Sequence, residues 1–139
     1  MAKRDMASLV KLVPLFNPVA AVTDNTAQVS AIIDTAGFNS VTLGIQTGTL
    51  SDADATFTVL VEHGDASNLS DNAAVADDYL IGTEAGASFT FANDNVTRKI
   101  GYVGSKRYVR MTVTPANNTG NLFLAGIAIL GDPALAPVA

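Results

Sequence analysis

The sequence predicts an all-β protein: a jelly roll or two-sheet antiparallel β-sandwich with an extended N-terminal arm and a C-terminal tail. Three observations favour this class. Apolar residues recur at every second position, turn-forming residues separate short apolar segments, and no segment keeps helical periodicity over three turns. The 139 residues fit one domain, which we divide into an arm at 1–18, a sandwich at 19–131 and a tail at 132–139.

About eight short strands are expected, and the two clearest lie near the end of the chain. Segment 107–114 alternates so that Val109, Met111 and Val113 point to the core. Segment 122–130 is almost continuously apolar, so we expect both of its faces to be covered. The other predicted strands are 28–34, 40–47, 56–63, 79–81, 88–92 and 99–103. Their predicted inward residues are Val41, Leu43, Ile45, Phe57, Val59, Val61, Phe89 and Phe91.

The arm carries two prolines and mixed polarity, which favours an irregular conformation. Its segment 9–16 is too apolar to remain free in water, so we expect it to lie against the body or a partner. A short helix over 6–13 is the alternative, and Pro14 would end it.

Charge is distributed unevenly along the chain. Between Leu12 and Thr97 there are eleven acidic residues and no basic ones. The eight basic residues lie towards the two ends: Lys3, Arg4, Lys11, Arg98, Lys99, Lys106, Arg107 and Arg110. This pattern has two interpretations. Either the charges serve solubility and their distribution is due to chance, or the molecule is bipolar and its basic ends meet acidic surfaces.

Composition argues against catalysis and cofactor binding. The chain has no cysteine and one histidine, His63, which rules out a histidine–cysteine zinc site. No nucleophile elbow or phosphate-binding loop occurs, and we expect His63 at the surface, where a strand ends. The loop acids offer oxygen ligands, so a structural calcium site stays open. These acids are Asp52, Asp54, Asp71, Asp77 and Asp78.

A basic and aromatic stretch at 98–110 has two interpretations, a nucleic-acid interface or a protein interface. The net charge of −5 favours the protein interface, because arginine and tyrosine are enriched at protein hot spots. Arg107, Tyr108 and Arg110 are the residues we expect to contact a partner. No apolar run reaches the roughly 18 residues of a membrane span, so we expect no membrane partner. The net charge likewise leads us to expect no direct nucleic-acid partner.

The last third of the chain resembles a known group of proteins. The string IGYVGSKRYVRMTVT at 100–114, the apolar segment 120–131 and the string DPALAP at 132–137 carry the likeness. Segments 37–40 and 55–59 are similar more loosely. Together they resemble small structural proteins from the head gene clusters of tailed bacteriophages, above all the capsid cement, or decoration, proteins.

The resemblance implies a jelly-roll protein on the outside of the virion capsid, assembled in the host cytoplasm. Such a protein bridges neighbouring major capsid subunits, resists internal DNA pressure and often acts as a homodimer or trimer. It implies no catalytic residues. Asp132 and Ala134 stand where the family would have a more basic stretch.

On this hypothesis the arm at 1–18 and the tail at 132–139 reach neighbouring subunits, and an exposed strand contacts a partner. The expected contact residues are Lys3, Arg4, Lys11, Phe16, Arg107, Tyr108 and Arg110. Two alternatives remain. One is a carbohydrate-binding adhesion module, because 106–110 is similar to a strand of discoidin-type sandwiches, although the chain has no tryptophan. The other is a head–tail neck or tail component.

Overall fold

Two antiparallel β-sheets pack face to face in the computed structural model, which describes residues 4–138. The predicted all-β sandwich is therefore confirmed. The strands are β1 Lys11–Phe16, β2 Gln28–Val29, β3 Ile33–Asp34, β4 Phe38–Leu50, β5 Thr56–Gly64, β6 Ala73–Ala74, β7 Leu80–Ile81, β8 Phe89–Thr90, β9 Thr97–Tyr102, β10 Tyr108–Ala116 and β11 Leu122–Pro133. Helical turns are short: Ala7–Leu9 and Asp77–Tyr79 are 3-10, and α1 is Glu84–Ala87.

Sheet A has the strand order β1-β11-β4-β9-β7, and sheet B has the order β2-β10-β5-β6, with β3 also on β10 and β8 on β5. Apart from the long pairings of β11 with β4 and of β10 with β5, the following antiparallel pairs are nested. β1 pairs with β11, β2 and β3 with β10, β4 with β9, and β5 with β6. The first half of the chain thus pairs with the second half in reverse order. The finer jelly-roll assignment stays a prediction.

The core lies between the sheets and forms one cluster that draws on nearly every strand. Alternation placed it correctly in β4, β5 and β10, where all nine predicted inward residues are buried. Phe91 is the exception, with 40% of its surface exposed. β8 ends at Thr90, where Asn93 Oδ1 accepts the Thr90 N–H and Asn93 N–H donates to the Thr90 carbonyl. Phe91 therefore sits in a turn, where strand alternation no longer applies.

The predicted strand 28–34 is divided into β2 and β3 by residues 30–32. Ser30 Oγ accepts the Met111 N–H at 2.9 Å, so a side chain replaces a strand carbonyl in the ladder. Ala31 N–H donates to the Leu15 carbonyl at 3.0 Å. This residue thereby joins the edge of sheet B to β1 in sheet A.

Much of the predicted arm belongs to the sandwich. Residues 11–16 form edge strand β1, and the only helical structure before it in the described residues is the Ala7–Leu9 turn. Pairing with β11 joins this segment to sheet A and buries Leu15 and Phe16, while Leu12 stays exposed. Phe16 is 8% exposed and lies in the core. The expectation that Phe16 anchors a partner is corrected, because its ring has almost no free surface.

The predicted tail also begins inside the sheet, since β11 continues to Pro133. Beyond it, Ala134 N–H donates to the Gly37 carbonyl, and Val138 N–H donates to the Ser8 carbonyl at 2.9 Å. The two terminal segments therefore lie together at one end of the sandwich.

Candidate interaction face

The outward side of sheet A is apolar along its second strand, β11. The inward residues Leu122, Leu124, Ala128 and Leu130 belong to the core. Between them, Phe123, Ile127 and Ile129 point away from the core, and Ile127 and Ile129 are 49% and 39% exposed. The sequence predicts a cover for both faces of segment 122–130. Sheet B covers one face, and the described residues leave the other face exposed to solvent.

Register extends this apolar surface across the neighbouring strands. Ile127 is paired with Pro14 on β1 and with Gly44 on β4, and Gly44 is paired with Lys99 on β9. Side chains in such a cross-strand row project from the same face. The next row runs from Leu12 through Ile129, Thr42 and Gly101 to Ile81. We call the surface formed by these two rows the sheet A face.

A groove of about 650 Å³ crosses the sheet A face above Gly44. Leu12, Ile127 and Ile129 line one side, and Lys99 lies on the other. Gly44 adds depth to the groove, because it has no side chain. A Cβ built there would meet only the Ile127 carbonyl oxygen, at 3.4 Å, which is ordinary contact. The backbone therefore accepts a larger residue at this position, and the glycine leaves open space.

Positive charge borders this groove. Lys99 projects from this face, whereas Arg98, the preceding residue of β9, is paired with the core residue Ile45 and projects from the other side of the sheet. No acidic residue lines the groove. Arg98 Nη1 donates to the Gly86 carbonyl at 2.9 Å, while its Nε is buried without a partner. Within residues 4–138, neither cation forms an ion pair. The sheet A face is thus apolar and cationic in a chain of net charge −5.

Sheet B presents a different outward surface, on which charges are matched. Arg110 Nε lies 2.8 Å from Glu62 Oε2 across β10 and β5, with side chains only 23% and 15% exposed. Arg107 donates from Nε and Nη2 to both Asp34 oxygens at 2.8 Å. This bidentate contact lowers the pKa of Asp34 and raises the pKa of Arg107. The Arg107 guanidinium also lies over the Tyr108 ring, 5.1 Å from its centroid.

The structure brings three of the predicted contact residues together, Arg107, Tyr108 and Arg110. It places them on β10 or its entry, within sheet B, where β10 is flanked by β5 on one side and by β2 and β3 on the other. Both guanidinium groups are already occupied by carboxylates of the same chain. Their contact with a partner stays a prediction.

The remaining predicted contact residues lie towards the N-terminus. Lys11 is exposed on β1, near enough to Asp34 to lower its pKa. Arg4 is exposed, and Lys3 lies outside the described residues. Sequence reasoning missed the sheet A face as a site, although the continuous apolarity of 122–130 was its signal.

His63 lies at the inward side of β5, paired with Val109. Its Nδ1 is 2.9 Å from Tyr102 Oη, which accepts the Lys106 N–H at 3.0 Å. Burial, and then the charge of Lys106, lowers the pKa of His63. The histidine is half-buried and bridges the two sheets, and no serine or carboxylate hydrogen-bonds to its ring among the described residues.

Two of the five loop acids considered for calcium, Asp52 and Asp71, stabilise turns. Asp52 accepts hydrogen bonds from Thr119 N–H, Thr119 Oγ1 and Asp54 N–H, and Asp71 accepts those of Asp65 and Ala66. Within residues 4–138, no three histidine, cysteine, aspartate or glutamate residues are grouped to hold a metal ion. Over the same range, no helix combines the length and apolarity needed to span a membrane.

The fold and this face define the chain as a two-sheet β-sandwich with one apolar outward surface. No protein-family model matches the sequence, and a search of the curated proteins finds no match either.

Proposed function

We propose that this chain is a non-enzymatic structural protein of a tailed-bacteriophage virion. It binds the outside of the capsid and staples neighbouring major capsid subunits against internal DNA pressure. The observation that carries the proposal is the sheet A face. A long central strand, apolar on both sides, has one side in the core and the other exposed to solvent, and contiguous exposed apolar surface marks protein contact sites.

Rigidity supports a stapling role. The sheet A face stands on β1, β11, β4 and β9, whose inward residues belong to one core cluster. A surface held in this way loses little conformational entropy when a partner binds. Weak contacts of individual copies then add up when many copies occupy a symmetric shell.

The termini support the same arrangement. β1 and β11, which lead from and to the terminal segments, are neighbours in sheet A. Residues 4–10 and 134–138 therefore emerge beside the sheet A face, where they can reach adjacent subunits. The nested strand pairing also agrees with the jelly-roll class, which includes viral capsid domains.

Co-sedimentation with capsid shells that lack this protein tests the proposal. The purified chain is mixed with shells, pelleted, and quantified against the major capsid subunit. Saturable pelleting at copy numbers comparable to that subunit is expected. A folded protein that stays in the supernatant would refute the capsid role, and saturation at about a dozen copies would instead favour a neck component.

A further inference from the structure

We infer that the groove above Gly44 receives an apolar side chain of the partner while a partner carboxylate pairs with Lys99. This inference rests on the proposed function and names the chemistry of the partner surface. The occupant is a protein segment that carries an aliphatic or aromatic residue next to an aspartate or glutamate.

The shape of the groove supports the apolar half of this inference. Ile127 on β11 and Lys99 on β9 flank Gly44 from its two neighbouring strands. They are two strand spacings apart, about 10 Å, which leaves room for a side chain between them. The walls on the β1 and β11 side are hydrocarbon: Leu12, Ile127 and Ile129. A side chain placed there removes apolar surface from water on both partners.

Charge supports the acidic half. Lys99 borders both this groove and a second depression of about 360 Å³ that Ile81 and Gly101 also line. Lys99 thus lies between the two depressions. The cation–carboxylate contacts within the described chain involve Lys106, Arg107 and Arg110, and Lys99 takes part in none of them. A second copy docking symmetrically through this face would add a second Lys99 and no acid from the two rows to the interface, so charge favours an acidic partner.

Four variants test the inference by shell co-sedimentation. Gly44→Val places a side chain on the floor of the groove, between Ile127 and Lys99, and its β-branched side chain suits a strand. Ala116→Val adds similar bulk on the outward side of sheet B. Lys99→Gln removes the cation, and Lys106→Gln removes one that pairs with Asp65. Circular dichroism and thermal melting check folding. If Gly44→Val does not fold, Ala125→Leu serves as a second groove-filling variant.

We expect Gly44→Val to weaken shell binding by about tenfold or more, because an apolar anchor is excluded. Lys99→Gln should weaken it by about three- to tenfold and flatten the salt dependence. Ala116→Val and Lys106→Gln should bind like the wild type.

The outcomes separate this inference from the proposed function. If the wild-type protein pellets with shells and both Gly44→Val and Lys99→Gln bind as tightly as the wild type, the inference is overturned and the proposed function stands. Wild-type protein that never pellets overturns both. The inference would also be overturned if Gly44→Val changed the oligomeric state, measured by sedimentation velocity, while shell binding stayed intact. A second copy would then occupy the groove.

Discussion

The two outward surfaces of the sandwich differ in how completely the chain satisfies them. On sheet B, Arg110 pairs with Glu62 and Arg107 pairs with Asp34. On the sheet A face, Ile127 stays half exposed and Lys99 has no carboxylate within the described residues. The charges of the sheet B surface are matched within one chain, whereas Lys99 on the sheet A face has no carboxylate partner in the described residues. We expect a partner to bind where apolar side chains and a cation have no contacts within the chain.

This difference also shows that a charged residue by itself does not identify an interface. Arginine and tyrosine on a strand are typical of hot spots, and β10 carries both. Here the arginines hold strands of the same sheet together, because Arg110 and Glu62 are cross-strand neighbours. A cation marks an interface more reliably when the chain provides no carboxylate for it.

The largest expected effect comes from placing a charge on the sheet A face. Ile127→Lys should lower shell affinity about 100-fold, or about 3 kcal/mol, because the ammonium would be buried against apolar surface beside Lys99. Thr112→Lys makes the same change on a central strand of sheet B and should bind normally. Titration of shells with both labelled variants measures the difference. Equal losses for the two variants would remove the distinction between the surfaces.

A smaller effect is expected from breaking the half-buried ion pair of sheet B. Glu62→Gln should lower the free energy of unfolding by about 2 kcal/mol, since it leaves a largely desolvated guanidinium without its carboxylate. Arg107→Gln, which breaks an exposed pair, should cost far less because solvent screens that pair. Urea unfolding measures both. Shell binding by these variants should not change, and a binding loss without a stability loss would make sheet B the interface.

The smallest expected effect is the pH dependence that His63 contributes. Its folded pKa lies below the ordinary value of 6.5, so the unfolded chain binds the proton more readily. Stability from this group is complete above pH 6.5 and decreases as the pH falls below 6.5 towards the folded pKa. His63→Gln should remove this slope when urea midpoints are compared at pH 7.5 and 5.5. The carboxylates with lowered pKa values, such as Asp34, act in a separate window below pH 3.8. A slope that survives in His63→Gln would assign the effect to other groups.

Sequence reasoning predicted the strands whose pattern is local. Period-two alternation identified β4, β5 and β10 and their inward residues, because each residue's face depends only on its neighbours in the same strand. The predictions failed where a distant contact decides the conformation. Residues 11–16 form a strand because β11 lies beside them. The segment 28–34 is divided because Ser30 bonds to Met111, 81 positions away.

The candidate site was predictable in one respect only. The apolarity of 122–130 indicated two covered faces, which implied a cover for each. Which face the core would take, and that Gly44 would lie next to Ile127, depended on strand register between distant segments. Nothing local in the sequence around Gly44 signals the groove.

Side-chain footprinting by carbene labelling, on the free protein and on the shell-bound protein, tests the central claim most directly. The account predicts that labelling of Leu12, Ile127 and Ile129 falls on binding, while labelling of Thr58 and Thr114 on sheet B stays unchanged. Protection of Thr58 and Thr114 with continued labelling of Ile127 would contradict it. The partner would then bind sheet B, whose charges are already paired within the chain.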